Sequence, residues 1–294
     1  MVVTEKLKVL HPLSANLKHL SANSFSQEHR IIQKRNSLGF KLQSTLWISA
    51  VGCVGKILVD WCNKVTVYNR ELFLNLIHNR PAGTPLITVS NHTSMFDDPG
   101  IVATIMDLKA IVNQRKMRWS MAAKEICFAT CFTSYVSHHG KLIPIERGKG
   151  VYQDGVNYAI QKLNAGDWVH VFPEGKITSE IVRLKWGVGR MINECVKTPI
   201  ILPFWHVGMQ EFLPLENDIY IPFFGHITLP RIKKKITVLF GDPIPVCDIL
   251  VKFHSGELNE VSARIQLTNR IQDAFRQLRI IAEDLHTNRG FLSK

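Results

Sequence analysis

The sequence predicts an α/β fold: a mainly parallel or mixed central sheet flanked by helices, with a membrane-associating segment ahead of it. Three observations lead there. Short β-like runs alternate with helical stretches through the middle of the chain. Several of those runs are almost wholly apolar, as strands covered on both faces must be. The end of the chain carries an apolar pattern at spacings of three and four, able to cover the sheet as one long helix. Of 294 residues, 46% are apolar and 20% charged, which is enough for a sizeable core.

Residues 1–41 read as a basic extension. Lys6, Lys8, Lys18, Arg30, Lys34, Arg35 and Lys41 stand against Glu5 and Glu28. With its serines, the stretch is weakly like a mitochondrial presequence and lacks the apolar region of a secretory signal. Residues 42–59 form the membrane-associating segment. The uncharged run Leu42–Gly55 is about fourteen residues, short of the roughly twenty that span a bilayer. The expectation is therefore an in-plane or re-entrant segment with Trp47 as interfacial anchor, and the bland alternative is a buried core helix.

Residues 60–250 hold the main domain. Strands are expected at Val65–Tyr68, Leu86–Ser90, Leu142–Ile145, Trp168–Phe172, Ile200–Phe204 and Ile236–Phe240. Helices are expected at Asp98–Asp107, Tyr152–Leu163 and Gly187–Cys195. Residues 251–294 read as an amphipathic helix packed on that domain. Its apolar positions are Leu258, Val261, Ile265, Ile271, Phe275, Leu278, Ile281 and Leu285, with one break at Thr268. The six cysteines contain no CxxC pair. Cys127 and Cys131 sit four apart in an apolar stretch and read as buried free thiols. No second Cys/His pair stands at zinc-ligand spacing, so no metal is expected. The net charge of +12 favours an anionic partner.

Four motifs carry chemistry. Asn91-His92-Thr93-Ser94-Met95-Phe96-Asp97-Asp98 follows the strand Leu86–Ser90 directly. A His at such a strand end can serve as general base if a carboxylate fixes its tautomer, and a turn into a helix brings Asp97 back to the ring. Capping the helix is the structural alternative for Asp97 and Asp98. Chance alone would give about 0.45 His/Asp pairs at this offset, so the spacing is weak by itself. Phe172-Pro173-Glu174-Gly175 is far rarer by chance, about 0.002. Glu174 can accept from a substrate hydroxyl, and Gly175 allows close backbone approach; an ordinary turn is the alternative. Gly140 to Gly148 places Arg147 after a strand, where it can grip a phosphate or simply pair with a surface acid, while Lys141 and Lys149 add to the field. Ile200-Ile201-Leu202-Pro203 ends an apolar strand at Pro203, either lining an acyl chain or filling the core. Arg183, Lys185 and Arg190 flank a helix start, and Arg231, Lys233, Lys234 and Lys235 make a second basic patch suited to lipid phosphates.

These motifs, in this order, resemble the glycerolipid acyltransferase family over roughly residues 60 to 245. The longer segments Asn91–Pro99, Met117–Phe128, Gly166–Lys176, Lys185–Ile192 and Pro199–Met209 resemble, more narrowly, its cardiolipin-remodelling transacylases of mitochondria. Two departures from the acyl-CoA-dependent members stand out. Arg147 is seven residues after Gly140 rather than six, and Lys176-Ile177-Thr178 replaces Thr-Arg-Ser after Pro-Glu-Gly.

The resemblance implies an O-acyltransferase moving acyl groups between phospholipids and lysophospholipids, with no cofactor. Its substrates would be cardiolipin, monolysocardiolipin and phosphatidylcholine at a membrane surface. Nucleic acid is not an implied partner, and a homo-oligomer is compatible with the reading. His92 and Asp97 would be catalytic; Arg147, Gly140, Glu174, Gly175, Pro173 and Pro203 would bind substrate. The location implied is mitochondrial membranes, facing the intermembrane space. No nucleophile elbow is present, so transfer is expected to be direct, without an acyl-enzyme. Three other readings remain at this stage: an acyl-CoA-dependent lysophospholipid acyltransferase, a metal hydrolase using His92, Asp97 and Asp98, and an inactive lipid-binding protein.

Overall fold

The computed structural model describes residues 37–214, 218–221 and 225–288. The chain divides into two compact units, residues 1–44 and 45–294. Within the first unit only residues 37–44 are described, and they form the opening turns of a helix; the remainder of the basic extension lies outside the described residues.

That helix, α1 (Leu38–Gly55), runs on through a π-helical turn, Lys56–Trp61. The 24 residues from Leu38 to Trp61 are long and apolar enough to cross a membrane by length and composition. At 1.5 Å per residue they reach about 36 Å, against a hydrocarbon core of about 30 Å. The helix is thus longer than the uncharged run Leu42–Gly55. Lys56, which ends the uncharged run, pairs with Asp60 at 3.0 Å and donates to the Ala103 and Met106 carbonyls. Its charge is thereby matched without breaking the helix.

Unit two is a seven-stranded sheet among the described residues, in the order β1-β9-β6-β2-β5-β3-β4. The strands are β1 (Lys64–Tyr68), β2 (Leu86–Ser90), β3 (Trp119–Ala123), β4 (Leu142–Ile145), β5 (Trp168–Val171), β6 (Ile200–Val207) and β9 (Lys235–Phe240). β6, β2, β5, β3 and β4 are mutually parallel; β1 and β9 are parallel to each other, and β9 runs antiparallel to β6. A separate antiparallel hairpin pairs β7 (Asp218–Ile221) with β8 (Gly225–Thr228). The expected sheet is thus present, mainly parallel with two reversed strands.

Residue alternation gives the central strands β2, β5, β6 and β9 two buried faces. Ile87, Val89, Val169, Val171, Ile201 and Trp205 pack on one side. Leu86, Trp168, Leu202, Phe204, Val238 and Phe240 pack on the other with α2 (Arg70–Asn79) and α3 (Asp97–Ile105). The first side is covered by α5 (Asp154–Asn164), α6 (Gly187–Asn193) and the C-terminal helix α8 (Glu260–Asn288). The helices α4 (Cys131–His139) and α7 (Cys247–His254) complete the set used below. α8 is continuous through Thr268, where the apolar pattern breaks. Thr268 is buried, its hydroxyl donates to the Arg264 carbonyl, and a Cβ on Gly189 would meet these atoms at 2.7–2.8 Å. The break therefore marks a close helix crossing, not an end. The buried stripe is Ala263, Leu267, Ile271, Phe275, Leu278 and Ala282, while Val261 and Ile281 are exposed.

Cys127 and Cys131 are not the buried pair expected. Thr130 caps α4 between them, so they lie on separate helices, and Cys131 is exposed. All six cysteines are free.

The turn that ends β6 is a point of strain with consequences for the site beside it. Gly208 sits at φ +99°, and a Cβ there would lie 2.0 Å from the Lys235 carbonyl oxygen. Gly208→Ala is expected to cost about 2 kcal/mol or more. Urea unfolding of the purified protein measures it; an unchanged midpoint would contradict this account of the turn.

Candidate active site

The strand β2 ends at Ser90, and the chain turns through His92–Phe96 into α3. The turn is set by Asp97, the first residue of the helix. One of its oxygens, Oδ2, accepts the backbone N–H of Thr93 at 2.6 Å and of Ser94 at 2.8 Å. The same oxygen lies 2.9 Å from His92 Nδ1. A carboxylate only accepts, so His92 carries its hydrogen on Nδ1 and presents Nε2 as the basic nitrogen. Asp97 is fully buried and the His92 side chain is 19% exposed, so the base is reachable while its partner is sealed.

β5 is the strand beside β2, and it delivers the second motif to the same edge. The Phe172 ring stacks on the His92 ring, with centroids 4.1 Å apart and 17° between planes. Glu174 Oε2 accepts the His92 backbone N–H at 2.8 Å, and the Thr178 N–H donates to the His92 carbonyl at 2.8 Å. Pro173 is buried and its carbonyl accepts from Lys185 N–H at 2.7 Å. Gly175 takes φ +72°, closing the turn with its N–H on the Phe172 carbonyl. His92, Asp97, Pro173, Glu174 and Gly175 are therefore brought together at the carboxyl end of adjacent parallel strands, where sheets of this kind place their sites.

The remaining sequence candidates are not all there. Arg147 follows β4 on the same sheet edge, three strands from β2, on the order of 14 Å along it. Its guanidinium pairs with Glu125 at 3.3 Å. Gly140 caps α4 ahead of β4 and so lies at the opposite edge from Arg147. Lys141 does not add to the field at the site. It is buried at that far edge, and its Nζ donates to the Gln114 and Met117 carbonyls. Pro203 is buried mid-strand, beside Val89 in β2, a core position. Arg190 is also structural, forked onto Glu194 and bonded to Val151 and Asn157. The patch Arg231, Lys233, Lys234 and Lys235 precedes β9; because β9 is antiparallel to β6, this end of β9 reaches the active-site edge. Among the described residues, no group of three or more His, Cys, Asp or Glu side chains is arranged to hold a metal ion.

Three buried side chains beside the site, Arg118, His170 and His206, carried no role in the sequence reading. Asp98 is gripped bidentately by Arg118, at 2.9 and 2.6 Å, twenty residues away. Burial opposes the Asp98 charge, but Arg118 outweighs it and holds the carboxyl below its ordinary value. His170 is buried under Phe172 and bonded to Thr88 at 2.9 Å; desolvation pushes it down to about 4, so it is neutral. His206 is likewise buried and pushed down by desolvation, partly offset by Asp97. None follows a local signal. All three lie within segments of the narrower family resemblance, Met117–Phe128, Gly166–Lys176 and Pro199–Met209.

Two expectations follow from this chemistry. Arg118→Met would strand a buried Asp98 and is expected to destabilise by about 3–5 kcal/mol, with Asp98→Asn in the same chain recovering much of the loss. Chemical denaturation of the single and double variants tests it; additive losses would refute the pairing. Glu174 is pushed up to about 7, first by desolvation and then by Asp97, against its ordinary 4.5. The folded state thus holds this proton to higher pH than the unfolded one. Stability from this group is fully present below about pH 4.5 and is lost as pH rises towards 7. The shift corresponds to about 3 kcal/mol. Glu174→Gln should remove that slope, read as the pH-dependent difference in unfolding free energy between it and the unsubstituted protein; a constant difference would refute the shift.

Residues 64–207 match a family model described as Acyltransferase. The chain is 46% identical to a Drosophila melanogaster tafazzin over 245 residues, which is 83% of this chain and 62% of that one; it thus spans less than two thirds of that relative. It is 41% identical to an Arabidopsis thaliana N-acylphosphatidylethanolamine synthase, covering 67% of this chain and 69% of the relative. It is 30% identical to a Dictyostelium discoideum taffazin, covering 82% of this chain and 87% of the relative. With a relative matched over nearly its whole length, and the acyltransferase model lying on the strands that build the site, the chain belongs to the tafazzin family of acyltransferases.

Proposed function

We propose that the protein transfers acyl groups from phospholipids to lysophospholipids without CoA, rebuilding cardiolipin from monolysocardiolipin. The observation that carries the reading is the 2.9 Å contact between His92 Nδ1 and the buried Asp97 carboxylate, with Nε2 facing outward. Nε2 takes the proton of the acceptor hydroxyl as its oxygen attacks the donor ester carbonyl. The imidazolium is balanced by Asp97 and then returns the proton to the departing lysolipid oxygen. One ester is broken and one formed, so the exchange is close to thermoneutral and calls for no activated donor. Phe172 holds the ring plane, and Glu174 holds the peptide that carries it.

Arg147 and the Lys233–Lys235 patch stand on the same edge on either side of His92, and serve as contacts for lipid phosphates. Substrate binding by Gly175 and Pro173 rests on their place in the turn under Glu174. The sequence departures after Gly140 and Gly175 favour a lipid donor over acyl-CoA. The long apolar helix and the basic extension favour attachment to mitochondrial membranes, on the intermembrane-space side. A second acceptor class is favoured by the Arabidopsis relative, whose name specifies N-acylation of phosphatidylethanolamine. An amine would use His92 in the same way as a hydroxyl.

The test is a CoA-free assay with labelled phosphatidylcholine as donor and monolysocardiolipin or phosphatidylethanolamine as acceptor. His92→Ala should lose roughly 10²–10⁴-fold in rate, or about 3–5 kcal/mol of barrier lowering. Undiminished transfer by that variant would overturn the mechanism. Transfer that appears only when acyl-CoA is supplied would replace the lipid donor with the thioester.

A further inference from the structure

His206 is a buried histidine bonded to the loop that carries His92. It is the penultimate residue of β6, the strand on the other side of β2 from β5. Its Nε2 lies 2.9 Å from the Asn91 carbonyl oxygen and 3.6 Å from Asp97 Oδ2. Both are acceptors, so Nε2 carries the hydrogen. Nδ1 is buried with no hydrogen-bond partner. The two main chains are also locked: Asn91 Nδ2 donates to the His206 carbonyl and His206 N–H donates to Asn91 Oδ1, both at 2.9 Å.

The Asn91 carbonyl and the His92 N–H belong to one peptide unit. His206 holds its oxygen and Glu174 holds its hydrogen. A peptide clamped at both poles cannot rotate, which fixes the direction in which the His92 side chain leaves the backbone. Nε2 also stands 3.6 Å from Asp97 Oδ2, beyond hydrogen-bond distance, where its N–H acts on the carboxylate as a dipole. That carboxylate has one oxygen, Oδ2, taking three N–H groups, and the other, Oδ1, buried without a partner. A donor on the Oδ2 side opposes rotation that would exchange them. A ring bonded through one nitrogen only, with the other left orphaned, is costly in a core. A phenylalanine would fill the same space without that cost.

We propose that His206 is a positioning residue for acyl transfer: its Nε2–H fixes the Asn91–His92 peptide and the Asp97 carboxylate, and these in turn hold His92 with its hydrogen on Nδ1. The proposal rests on the catalytic reading of His92 above. Its acyl-transfer consequences can be separated from the geometry by a spectroscopic readout.

Three variants of the full chain test it: His206→Gln, His206→Asn and His206→Phe. A glutamine amide nitrogen reaches the place of Nε2, whereas that of asparagine reaches only the place of the unpartnered Nδ1. His206→Gln should keep kcat within about threefold, while His206→Asn and His206→Phe should lose on the order of 10–100-fold in kcat with KM nearly unchanged. Long-range ¹H–¹⁵N spectra of the imidazoles should show His92 losing its uniform Nδ1–H tautomer in the Asn and Phe variants and keeping it in the Gln variant. Wild-type rates in the Asn and Phe variants would overturn the proposal, as would a Gln variant as slow as Asn with the His92 tautomer unchanged. The unsubstituted protein offers a check that needs no variant to fold: a His206 ring bearing its hydrogen on Nδ1 would refute it outright. If the tautomer responds as stated but no lipid transfer is detected in any form, the catalytic reading fails and the positioning stands.

Discussion

Asp97 Oδ2 is an oxygen on which three N–H groups converge, and the site depends on that convergence. The Thr93 and Ser94 amides fold the loop around it, and the His92 ring docks against it. A buried carboxylate is unfavourable unless its charge is met by donors. Here the donors are also the elements to be positioned, so satisfying the charge and building the turn are one event. Asp97 lies in the first turn of α3, where the helix dipole adds to its stabilisation. The neighbouring Asp98 would compete for the same donors, but it faces the other way onto Arg118. Two adjacent carboxylates thereby take separate roles, one beside the base and one beneath the sheet edge.

Around this oxygen the charges are kept few. His170 and His206 are buried and neutral, since desolvation outweighs the attraction of the nearby acids. Glu174 is held towards its protonated form by burial and by the Asp97 charge. Asp97 is consequently the carboxylate whose charge faces the His92 ring most directly. In the proposed mechanism, an imidazolium forming on His92 would meet one preorganised counter-charge, the arrangement in which electrostatic stabilisation of a transition state is most effective.

The sequence showed the frame more readily than the connections. β2, β5 and β9 read out because LITVS, WVHV and KITVLF are rich in β-branched and aromatic residues and buried on both faces. β3, Trp119–Ala123, did not, because Ser, Met and Ala carry no strand preference; its place between β5 and β4 comes from tertiary pairing. His92 and Asp97 were legible since five residues of one turn hold them. Arg118, His170 and His206 were not, since each meets its partner across strands. The Gly140/Arg147 pair shows the reverse error. Residues seven apart along a strand read as one motif, yet a strand extends, and it carries its two ends to opposite edges of the sheet. Thr268 misled for a related reason, as periodicity records apolar burial and misses a polar side chain buried at a helix crossing.

The antiparallel turn of β9 has a consequence for how a lipid reaches this edge. If β9 had run parallel to β6, its basic leader Arg231–Lys235 would have ended at the opposite edge of the sheet, away from His92. Reversal brings it to the edge that holds His92, two strand spacings or about 10 Å from β2. Arg147 and Lys149 stand on the other flank, beyond β5 and β3. Between them Met95, in the catalytic loop itself, is largely exposed. His92 and the exposed Met95 therefore lie between two groups of positive charge. Cations about 10–14 Å away act on an approaching anion near or beyond the screening length of physiological salt. In the proposed function, they would orient a phosphate-bearing molecule already at the surface rather than attract it from a distance. The same proposal would give headgroup recognition to the outer strands and chemistry to β2 and β5, with Arg147 outside contact distance of His92.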